Sequence, residues 1–582
     1  MLSWYKYIKP YLFYFIITPI CMLVEVAGEI IMPTLLGQVI DSQANGTLDV
    51  RQSLLVMGGI ILCAILMMAG GVGGSYFGAK ASVNFAADLR QDVFEKVQGF
   101  SFANIDKFST GSLVTRLTND ITQMQNFVNM LLRMAFRAPG MLIMALFMTI
   151  RLQPKLSVVF AVTIPLLLIC VGSIIVRGFS RFGTVQKKLD SLNSVVQENV
   201  TNVRVVKSFV REKKEISKFK KANGDFKEAS MSAMNIMIFM SPVTTLIMNI
   251  TILLIIYLGS SMVLDGLSGE IGMGIGDLSK FVSYANQILF SLMMVSMLLM
   301  MSSRALASAR RVKELLEEEP DIKDLPDADP GLSVKNGEVE FRNVSFRYYK
   351  GSDEKVLDDI SLKIPARSVV GIIGSTGCGK TTLVSMISRL YDPDEGEVLV
   401  DGRDVKDYTI YNLREGIGMV LQNNTLFSGT IEENLRWGDE NATMEEIKAA
   451  AHSAQADKFV SSFKDGYSTE LDQGGTNVSG GQKQRLCIAR ALLKRPKVLI
   501  LDDSTSAVDT ATEAQIRSAF KNELSDSTKI IIAQRISSII DSDMIVVMNE
   551  GRISGVGTHD ELLKSNQAYQ EIYYSQNERK GA

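Results

Sequence analysis

The sequence has few of the residues that build metal centres or disulfide frameworks. It contains two histidines, His452 and His559, which excludes any site that needs a histidine cluster. Its five cysteines show no short metal-ligand spacing and three of them lie in apolar runs, so neither a zinc site nor a disulfide framework is expected. The 61 lysines and arginines are balanced by 63 aspartates and glutamates, and a formal net charge of -2 gives no sign of a nucleic-acid partner.

Long apolar runs set the first part of the chain apart from the rest. With 582 residues, of which 47% are hydrophobic and 21% charged, the chain is long enough for several domains. The apolar runs fall within residues 1–320, whereas the remainder has the composition of a soluble α/β protein. Each run is close to the roughly 20 residues that cross a bilayer. We predict six spans, at 11–38, 54–79, 128–150, 156–178, 236–264 and 278–302.

The connections between these spans predict the orientation of the chain in the lipid bilayer. Two connections, 80–127 and 179–235, are long and polar, and the second is rich in lysine and arginine. By the positive-inside rule, these connections and both termini are cytoplasmic, so we expect a multi-pass protein of the plasma membrane. Segments 101–116 and 203–215 either reach a soluble domain on that side or are solvated charged loops.

Two pairs of charged side chains stand out inside the predicted spans, where charge is costly and often functional. Glu25 and Glu29 are four residues apart and share one helix face in the first span, and Arg133 and Arg137 do the same in the third. Two interpretations are open. Either the residues have a structural role, as facing ion pairs or as arginines that snorkel to the interface, or the glutamates face a transported substrate.

A phosphate-binding loop marks the soluble part of the chain. The segment GSTGCGKT follows the β-branched run 369–373 and precedes a helical pattern, which matches the P-loop motif G-x-x-x-x-G-K-[ST]. Its glycines let backbone N–H groups approach the phosphates of ATP, Lys380 reaches the β- and γ-phosphates, and Thr381 binds Mg²⁺. A second apolar run, 498–501, delivers Asp502 to the same ion. The predicted ATP-binding residues here are Gly374, Ser375, Thr376, Gly377, Cys378, Gly379, Lys380, Thr381, Thr382 and Asp502.

Four further segments complete an ordered set of motifs. VSGGQ occupies 478–482, SAVD ends at Asp509, Gln422 lies within VLQNN, and Tyr348 ends VSFRY. Together with the P-loop, they resemble the signature motif, D-loop, Q-loop and adenine-stacking aromatic residue of the ATP-binding cassette (ABC) exporters. The resemblance implies a half-transporter whose all-α domain, at 1–320, has six transmembrane helices of the type I exporter kind. It further implies a linker at 321–335 and an α/β P-loop nucleotide-binding domain with a helical subdomain at 336–582.

The resemblance also implies ATP sites that need residues from two chains. In this family, two nucleotide-binding domains close head to tail, and each ATP lies between the P-loop of one domain and the signature motif of the other. Tyr348 would therefore stack on the adenine bound by its own chain. The residues implied to serve the ATP of a partner chain are Ser479, Gly480, Gly481 and Gln482. The implied ligands of Mg²⁺ are Thr381, Gln422 and Asp502.

Two positions depart from the family's catalytic pattern. After Asp502 the family has a glutamate that orients or deprotonates the attacking water, and this chain has Asp503, which is one methylene shorter. Gln534 stands where the family has its switch histidine, and a neutral amide can bond a phosphate but cannot carry a proton. With Gln422, these are the residues that the resemblance places in hydrolysis. We expect ATP binding to be retained and hydrolysis at this site to be weak.

Two such departures beside an intact signature motif resemble one subunit of a heterodimeric exporter that has one degenerate and one competent ATP site. The expected partner is thus a second half-transporter. There are two alternatives. One is a homodimer with two slow sites, and the other is an ATP-gated channel or regulatory module. The resemblance implies a small amphipathic substrate of the drug or lipid type, and Glu25 and Glu29 are candidates for its path.

Overall fold

The structure is a computed structural model that describes residues 4–44, 50–267, 273–349, 354–503 and 510–578. Its internal contacts divide the chain into two units. The first comprises Met1–Val97 and Gly111–Glu317, and the second comprises Gln98–Thr110 and Glu318–Ala582. The second unit is therefore discontinuous in sequence, because it includes a short segment from within the membrane half.

Long apolar helices build the first unit. Among the described residues, six stretches are long and apolar enough to cross a membrane, which confirms the six predicted spans: Tyr5–Ala44, Ser53–Gln98, Thr110–Leu152, Pro154–Thr201, Glu212–Leu264 and Ile275–Leu298. The helices are α1 (Tyr5–Ile8), α2 (Leu12–Ala44), α3 (Val50–Gln98), α4 (Phe102–Phe108, in the second unit), α5 (Thr110–Thr115), α6 (Ile121–Leu152), α7 (Pro154–Thr201), α8 (Val203–Ser208), α9 (Glu212–Met237), α10 (Met240–Leu267) and α11 (Ile275–Glu317).

The helices extend beyond the apolar runs that identify them. Helices α3 and α7 have 49 and 48 residues, so each is about 70 Å long at the usual rise per residue, more than twice the hydrocarbon thickness. The polar connection predicted at 80–127 consequently begins as a continuation of α3, up to Gln98, and the one predicted at 179–235 consists mostly of the end of α7 and of α9. The predicted fifth span is also divided, because α9 ends at Met237 and α10 begins at Met240.

Helices α2, α6, α7, α10 and α11 share the buried core of this unit. Phe160 of α7 and Phe281 of α11 stack with their ring centroids 5.7 Å apart. The Tyr284 hydroxyl of α11 donates a hydrogen bond of 3.0 Å to the backbone oxygen of Ile30, next to a proline-containing turn of α2. Apolar side chains such as Leu62 on α3 are exposed, as expected of a surface that meets lipid.

The described residues of the second unit form an α/β structure with three sheets. The largest has strand order β12-β11-β3-β10-β9-β6 and is parallel except for β12. An antiparallel sheet has the order β2-β1-β4-β5, and β7 pairs with β8. The strands are β1 (Val339–Phe346), β2 (Leu357–Ile364), β3 (Val369–Gly374), β4 (Glu395–Val400), β5 (Arg403–Asp404), β6 (Ile417–Val420), β7 (Gly429–Thr430), β8 (Glu470–Leu471), β9 (Val498–Asp502), β10 (Thr528–Ile532), β11 (Met544–Asn549) and β12 (Arg552–Gly557).

Burial of the central strands explains why they read as continuous apolar runs. Every residue of β9 and β10 is buried, as is usual for a parallel sheet covered on both faces. Because β10 lies between β3 and β9, the carboxyl ends of these strands meet at one edge. The remaining helices are α12 (Lys380–Ile387), α13 (Ile410–Glu415), α14 (Ile431–Arg436), α15 (Met444–Ser453), α16 (Asp457–Val460), α17 (Gly480–Leu493), α18 (Thr510–Glu523), α19 (His559–Ser565) and α20 (Gln567–Glu578).

Candidate functional site

The P-loop joins the end of β3 to the start of α12. Gly377 and Gly379 adopt φ angles of +84° and +94°, which residues with a β-carbon rarely do. A β-carbon on Gly374 would lie 2.2 Å from the backbone oxygen of Met548, so only glycine fits there. The Lys380 ammonium donates to the backbone oxygens of Gly374 and Ser375, at 2.9 and 2.7 Å. The loop is thus wrapped around the cation that is predicted to meet the phosphates.

Two carboxylates follow one another at the end of β9. Asp502 is buried and accepts a 2.8 Å hydrogen bond from the Thr381 hydroxyl. Asp503 has a φ of +49°, and its Oδ2 accepts a 2.7 Å hydrogen bond from Nε2 of Gln534. Burial raises the pKa of both carboxyl groups above the ordinary value, against the lowering effect of these hydrogen bonds and of Lys380.

The P-loop and the carboxylates line one cavity of about 730 Å³ in the second unit. This volume is in the usual range for a small-molecule site. Cys378 is not among the lining residues, and its side chain is buried in the core beneath the loop. The predicted residues that do line it are Tyr348, Gly374, Ser375, Thr376, Gly377, Gly379, Lys380, Thr381, Thr382, Gln422, Asp502, Asp503 and Gln534.

The signature segment lies at the start of α17, outside this cavity. Ser479 is the N-cap of the helix: its backbone N–H donates to Oε1 of Gln482 at 2.9 Å, and its hydroxyl accepts from the Gln482 backbone N–H at 3.3 Å. Ser479 and Gly480 are exposed. A capped, exposed helix start can present N–H groups to an anion brought by another molecule. Asp509, predicted in the D-loop, lies outside the described residues.

The predicted Mg²⁺ ligands are hydroxyl, amide and carboxylate oxygens, which Mg²⁺ prefers. The hydrogen bond between Thr381 and Asp502 places two of these donors side by side, and Gln422 lines the same cavity. Among the described residues, no group of three or more His, Cys, Asp or Glu side chains could hold a metal ion alone. The residues therefore fit an ion that takes its other ligands from nucleotide phosphates and water, as Mg²⁺ commonly does.

Helix α20 contributes residues to the nucleotide cavity that the sequence did not indicate. Ala568, Glu571, Ile572 and Gln576 line the cavity. Nε2 of Gln576 donates to the backbone oxygen of Gln534 at 2.8 Å, and its Oε1 accepts from the Ile536 backbone N–H at 2.9 Å. The last described helix thus holds the segment that carries the switch position. No motif signals this contact, because it depends only on tertiary packing.

Tyr391, four residues after α12, was also missed. Its ring lies 5.2 Å from that of Tyr348 and 6.1 Å from that of Phe102 in α4. Its hydroxyl donates to Asp106 at 3.4 Å, and burial raises its pKa. Aromatic side chains therefore connect the predicted adenine position to α4 within the second unit. The sequence left two interpretations of segment 101–116 open, and its α4 portion belongs to the second unit, as the interpretation of contact with a soluble domain requires.

Comparisons with known proteins decide the family. The family described as ABC transporter transmembrane region matches residues 15–293, and the family described as ABC transporter matches 357–506. The uncharacterized ABC transporter ATP-binding protein YfiB of Bacillus subtilis (strain 168) is 39% identical over 579 residues, which cover 99% of each chain. The chain belongs to the ABC transporter family.

Further relatives and a solved structure place this ABC transporter among the exporters. The putative multidrug export ATP-binding/permease protein YgaD of Bacillus subtilis (strain 168) is 32% identical, with 99% of each chain covered. A solved bacterial Atm1-family ABC exporter with ATP bound is 27% identical, with a TM-score of 0.79 over 97% of this chain and 98% of the other. The transporter is a multi-pass, ATP-driven exporter half-transporter. Both the six-helix type I fold and the α/β nucleotide-binding domain are confirmed.

Three of the charged residues singled out in the predicted spans lie together in the membrane unit of the transporter. Arg137 pairs with both glutamates: Nη1 lies 3.0 Å from Oε1 of Glu25, and Nη2 lies 2.5 Å from Oε1 of Glu29. Arg133, one turn away, is exposed and takes no part in this cluster. The structure therefore contains the ion pair that the sequence left open, but only one of the two arginines makes it.

Proposed function

We propose that this chain is one subunit of a heterodimeric exporter and that its own P-loop forms a degenerate ATP site. Its signature residues Ser479, Gly480, Gly481 and Gln482 would complete a competent site with the P-loop, glutamate and histidine of a second half-transporter. The partner domain would bring its own signature motif to the cavity of this chain. Both termini and the nucleotide-binding domain would be cytoplasmic, in a protein of the plasma membrane.

The observation that carries the proposal is the contact between Gln534 and Asp503. A general base needs a carboxylate oxygen within hydrogen-bond reach of the attacking water. Asp503 is shorter than glutamate by one carbon–carbon bond, about 1.5 Å, and its Oδ2 already accepts a hydrogen bond from the Gln534 amide at 2.7 Å. An amide also cannot become positively charged beside a phosphate, as a histidine can. Both departures weaken hydrolysis without removing a group that binds nucleotide.

The remaining residues support binding. We infer that Lys380 and the P-loop N–H groups neutralise and orient the phosphates, and that Tyr348 offers a ring to the adenine. Thr381, Gln422 and Asp502 would hold Mg²⁺, which supplies positive charge beside the phosphates when bound. Asp503 and Gln534 would position water poorly. ATP bound at this site would hold the two nucleotide-binding domains together for longer than ATP bound at the competent site.

Paired substitutions test the assignment of the two sites. In the assembled transporter, Asp503→Asn should change ATP turnover less than twofold, because this site contributes little hydrolysis. Ser479→Ala should remove most of the turnover, because it alters the competent site, and general-base and phosphate-binding contributions are commonly about 10²-fold or more. Ser554→Ala, at an exposed position of β12, serves as a matched control. Comparable losses from Asp503→Asn and Ser479→Ala would refute the assignment.

Reconstitution separates the alternatives. The chain should show negligible ATPase activity alone and robust activity with its partner, whereas a homodimer with two slow sites should show the same slow rate alone and in the mixture. Inverted vesicles should accumulate an amphipathic dye against its gradient when ATP is added. An ATP-gated channel would only equalise the concentrations. Co-purification from the native membrane identifies the partner for these measurements.

A further inference from the structure

A cavity of the membrane unit is lined by charges of both signs. It has a volume of about 800 Å³ and lies between α2, α3 and α6. Glu25 of α2 and Arg133 of α6 both line it, and α3 contributes a largely apolar and polarisable wall that includes Met67, Met68 and Tyr76. The cavity therefore combines an acid, a base and an adaptable apolar surface within the membrane-spanning part of the chain.

The acidic side of this cavity carries one net negative charge when both glutamates are ionised. Arg137 contacts Oε1 of Glu25 and Oε1 of Glu29, so one guanidinium balances one of the two carboxylates. The second oxygen, Oε2, of each glutamate has no hydrogen-bond partner in the described part of the chain. A buried acceptor without a partner is costly. Glu25 can thus take one further donor, and a cationic group would also cancel the residual charge.

Space beside this carboxylate comes from Gly71 of α3. A β-carbon built on Gly71 would lie 3.5 Å from the carboxyl carbon and from both carboxyl oxygens of Glu25. Gly71 also lines the cavity. A methyl group at this position would lie in ordinary van der Waals contact with the carboxylate. Glycine therefore leaves room for about one small group beside Glu25 at the cavity wall.

Arg133 supplies a separate positive charge. Its side chain is exposed, and it forms no ion pair with any of the residues that the structure describes. Arg133 lines the cavity of about 800 Å³ and also a neighbouring one of about 220 Å³, which Arg137 lines as well. The guanidinium presents five donors in a fixed fork and suits a phosphate or carboxylate. Positive and negative groups therefore face one cavity without being paired with each other.

We propose that this cavity binds a zwitterionic amphiphile, with its cationic group on Glu25, its anionic group on Arg133 and its apolar chain along Met67, Met68 and Tyr76. The inference rests on the proposed exporter function, since it names the class of substrate. An amphiphile with a single charge would leave one of the two protein charges uncompensated in a medium of low polarity, which is costly. Methionine side chains adapt to chains of varied shape. The ring of Tyr76 already faces the Lys80 ammonium, at 4.8 Å from its centroid, so this tyrosine serves as part of the apolar wall.

Three probes with the same ten-carbon tail test this inference: decylphosphocholine, decyltrimethylammonium and decyl phosphate. Their dissociation constants are measured by calorimetry on the assembled transporter in dodecyl maltoside, whose headgroup is uncharged. We expect the zwitterion to bind at least about tenfold more tightly than either singly charged probe, because a hydrogen bond to a charged group contributes about 1.5–3 kcal/mol. Equal affinity for all three probes would overturn the inference.

Two charge-removing variants locate the groups. Glu25→Gln should weaken the binding of decylphosphocholine and of decyltrimethylammonium about tenfold. The affinity for decyl phosphate should stay unchanged or increase. Arg133→Gln should weaken the binding of decylphosphocholine and of decyl phosphate and leave the affinity for decyltrimethylammonium unchanged. Glu95→Gln on α3 and Arg151→Gln on α6 are matched controls outside the cavity and should change nothing. Equal weakening of all three probes by either cavity variant would mean a structural role and would contradict the inference. Because Arg133 is exposed, its variant should fold even where Glu25→Gln does not.

Nanodiscs distinguish a membrane lipid from a soluble zwitterion. If the site takes phospholipid headgroups, the apparent affinity for decylphosphocholine should fall in phosphatidylethanolamine nanodiscs relative to phosphatidylglycerol nanodiscs. If it takes only soluble zwitterions, the apparent affinities in the two kinds of nanodisc should agree. In both cases Glu25→Gln and Arg133→Gln must still change the affinities for the three probes differently. Binding is measured without ATP, so a failure here leaves ATP-driven accumulation in vesicles intact. If the probes bind as expected but inverted vesicles accumulate no dye with ATP, the proposed function fails and the binding inference does not.

Discussion

The nucleotide site and the membrane unit each contain a pair of carboxylates, and the two pairs are compensated differently. Glu25 and Glu29 share one guanidinium, that of Arg137. Asp502 accepts a hydrogen bond from the Thr381 hydroxyl and Asp503 accepts one from the Gln534 amide, while the positive charge of Lys380 acts to lower the pKa of both. The membrane pair carries its cation in the chain, because lipid offers no other. The nucleotide pair leaves room for a cation that arrives with the ligand.

Removing the resident cation should have the largest effect. Arg137→Gln leaves two mostly buried carboxylates without a counter-charge, and breaking such a pair commonly costs about 3–5 kcal/mol. We expect a lower yield of folded protein and a lower unfolding temperature in detergent. Glu25→Gln and Glu29→Gln added to Arg137→Gln should recover most of the loss, because the uncompensated charges are then gone. If the triple variant is no more stable than Arg137→Gln, the glutamates are not the reason for the loss.

Removing one carboxylate from the nucleotide pair should act on ligand binding instead of folding. Asp502→Asn should reduce the Mg²⁺-dependent part of ATP affinity about 10- to 100-fold, the range usual for changes around a metal site. Affinity for ATP measured in excess EDTA should hardly change. Titrations of a fluorescent ATP analogue with and without Mg²⁺ measure both quantities. An equal loss with and without Mg²⁺ would place Asp502 in nucleotide packing instead.

Restoring the family residues should increase hydrolysis at the site that we propose to be degenerate. Asp503→Glu combined with Gln534→His should raise ATP turnover at this site at least about tenfold, a small part of the contribution that a general base can make. The measurement requires a partner whose own P-loop lysine is substituted, so that only this site turns over. Each single variant should raise ATP turnover less than the double variant does, because the base and the switch residue act together. No gain from the double variant would show that other features limit hydrolysis.

The smallest expected effect is on the pH dependence of stability without nucleotide. The folded-state pKa values of Asp502 and Asp503 are raised by burial, so the folded form binds these protons more tightly than the unfolded form. Both forms are protonated below the ordinary pKa of 3.8, and the folded form loses stability as pH rises from there through the raised values. Asp502→Asn should remove the part of this decline that comes from Asp502. Thermal unfolding of the full chain across this pH range tests it, and an unchanged slope would count against the assignment.

Much of this architecture could be predicted from the sequence because its signals are local. Apolar runs identify the six spans, and the P-loop follows from glycines beside a β-branched run. The membrane cluster could not be settled in this way. Arg133 and Arg137 lie one turn apart, and a shift of a few residues in a span moves a side chain by several ångströms. Tyr391 and Gln576 were missed because their contacts depend on distant parts of the chain.

The discontinuous second unit has a consequence for synthesis. Gln98–Thr110, which carries α4, belongs to the unit that resumes at Glu318. At the usual 5–20 residues per second, the ribosome makes the intervening stretch of about 200 residues in roughly 10–40 s, and the remainder of the unit takes longer still. During that interval the rings of Phe102 and Phe108 have no completed unit to pack against. Until the second unit has been made, the segment has only its internal contacts, such as the capping box that starts α4 and the stacking of Phe108 on Phe100.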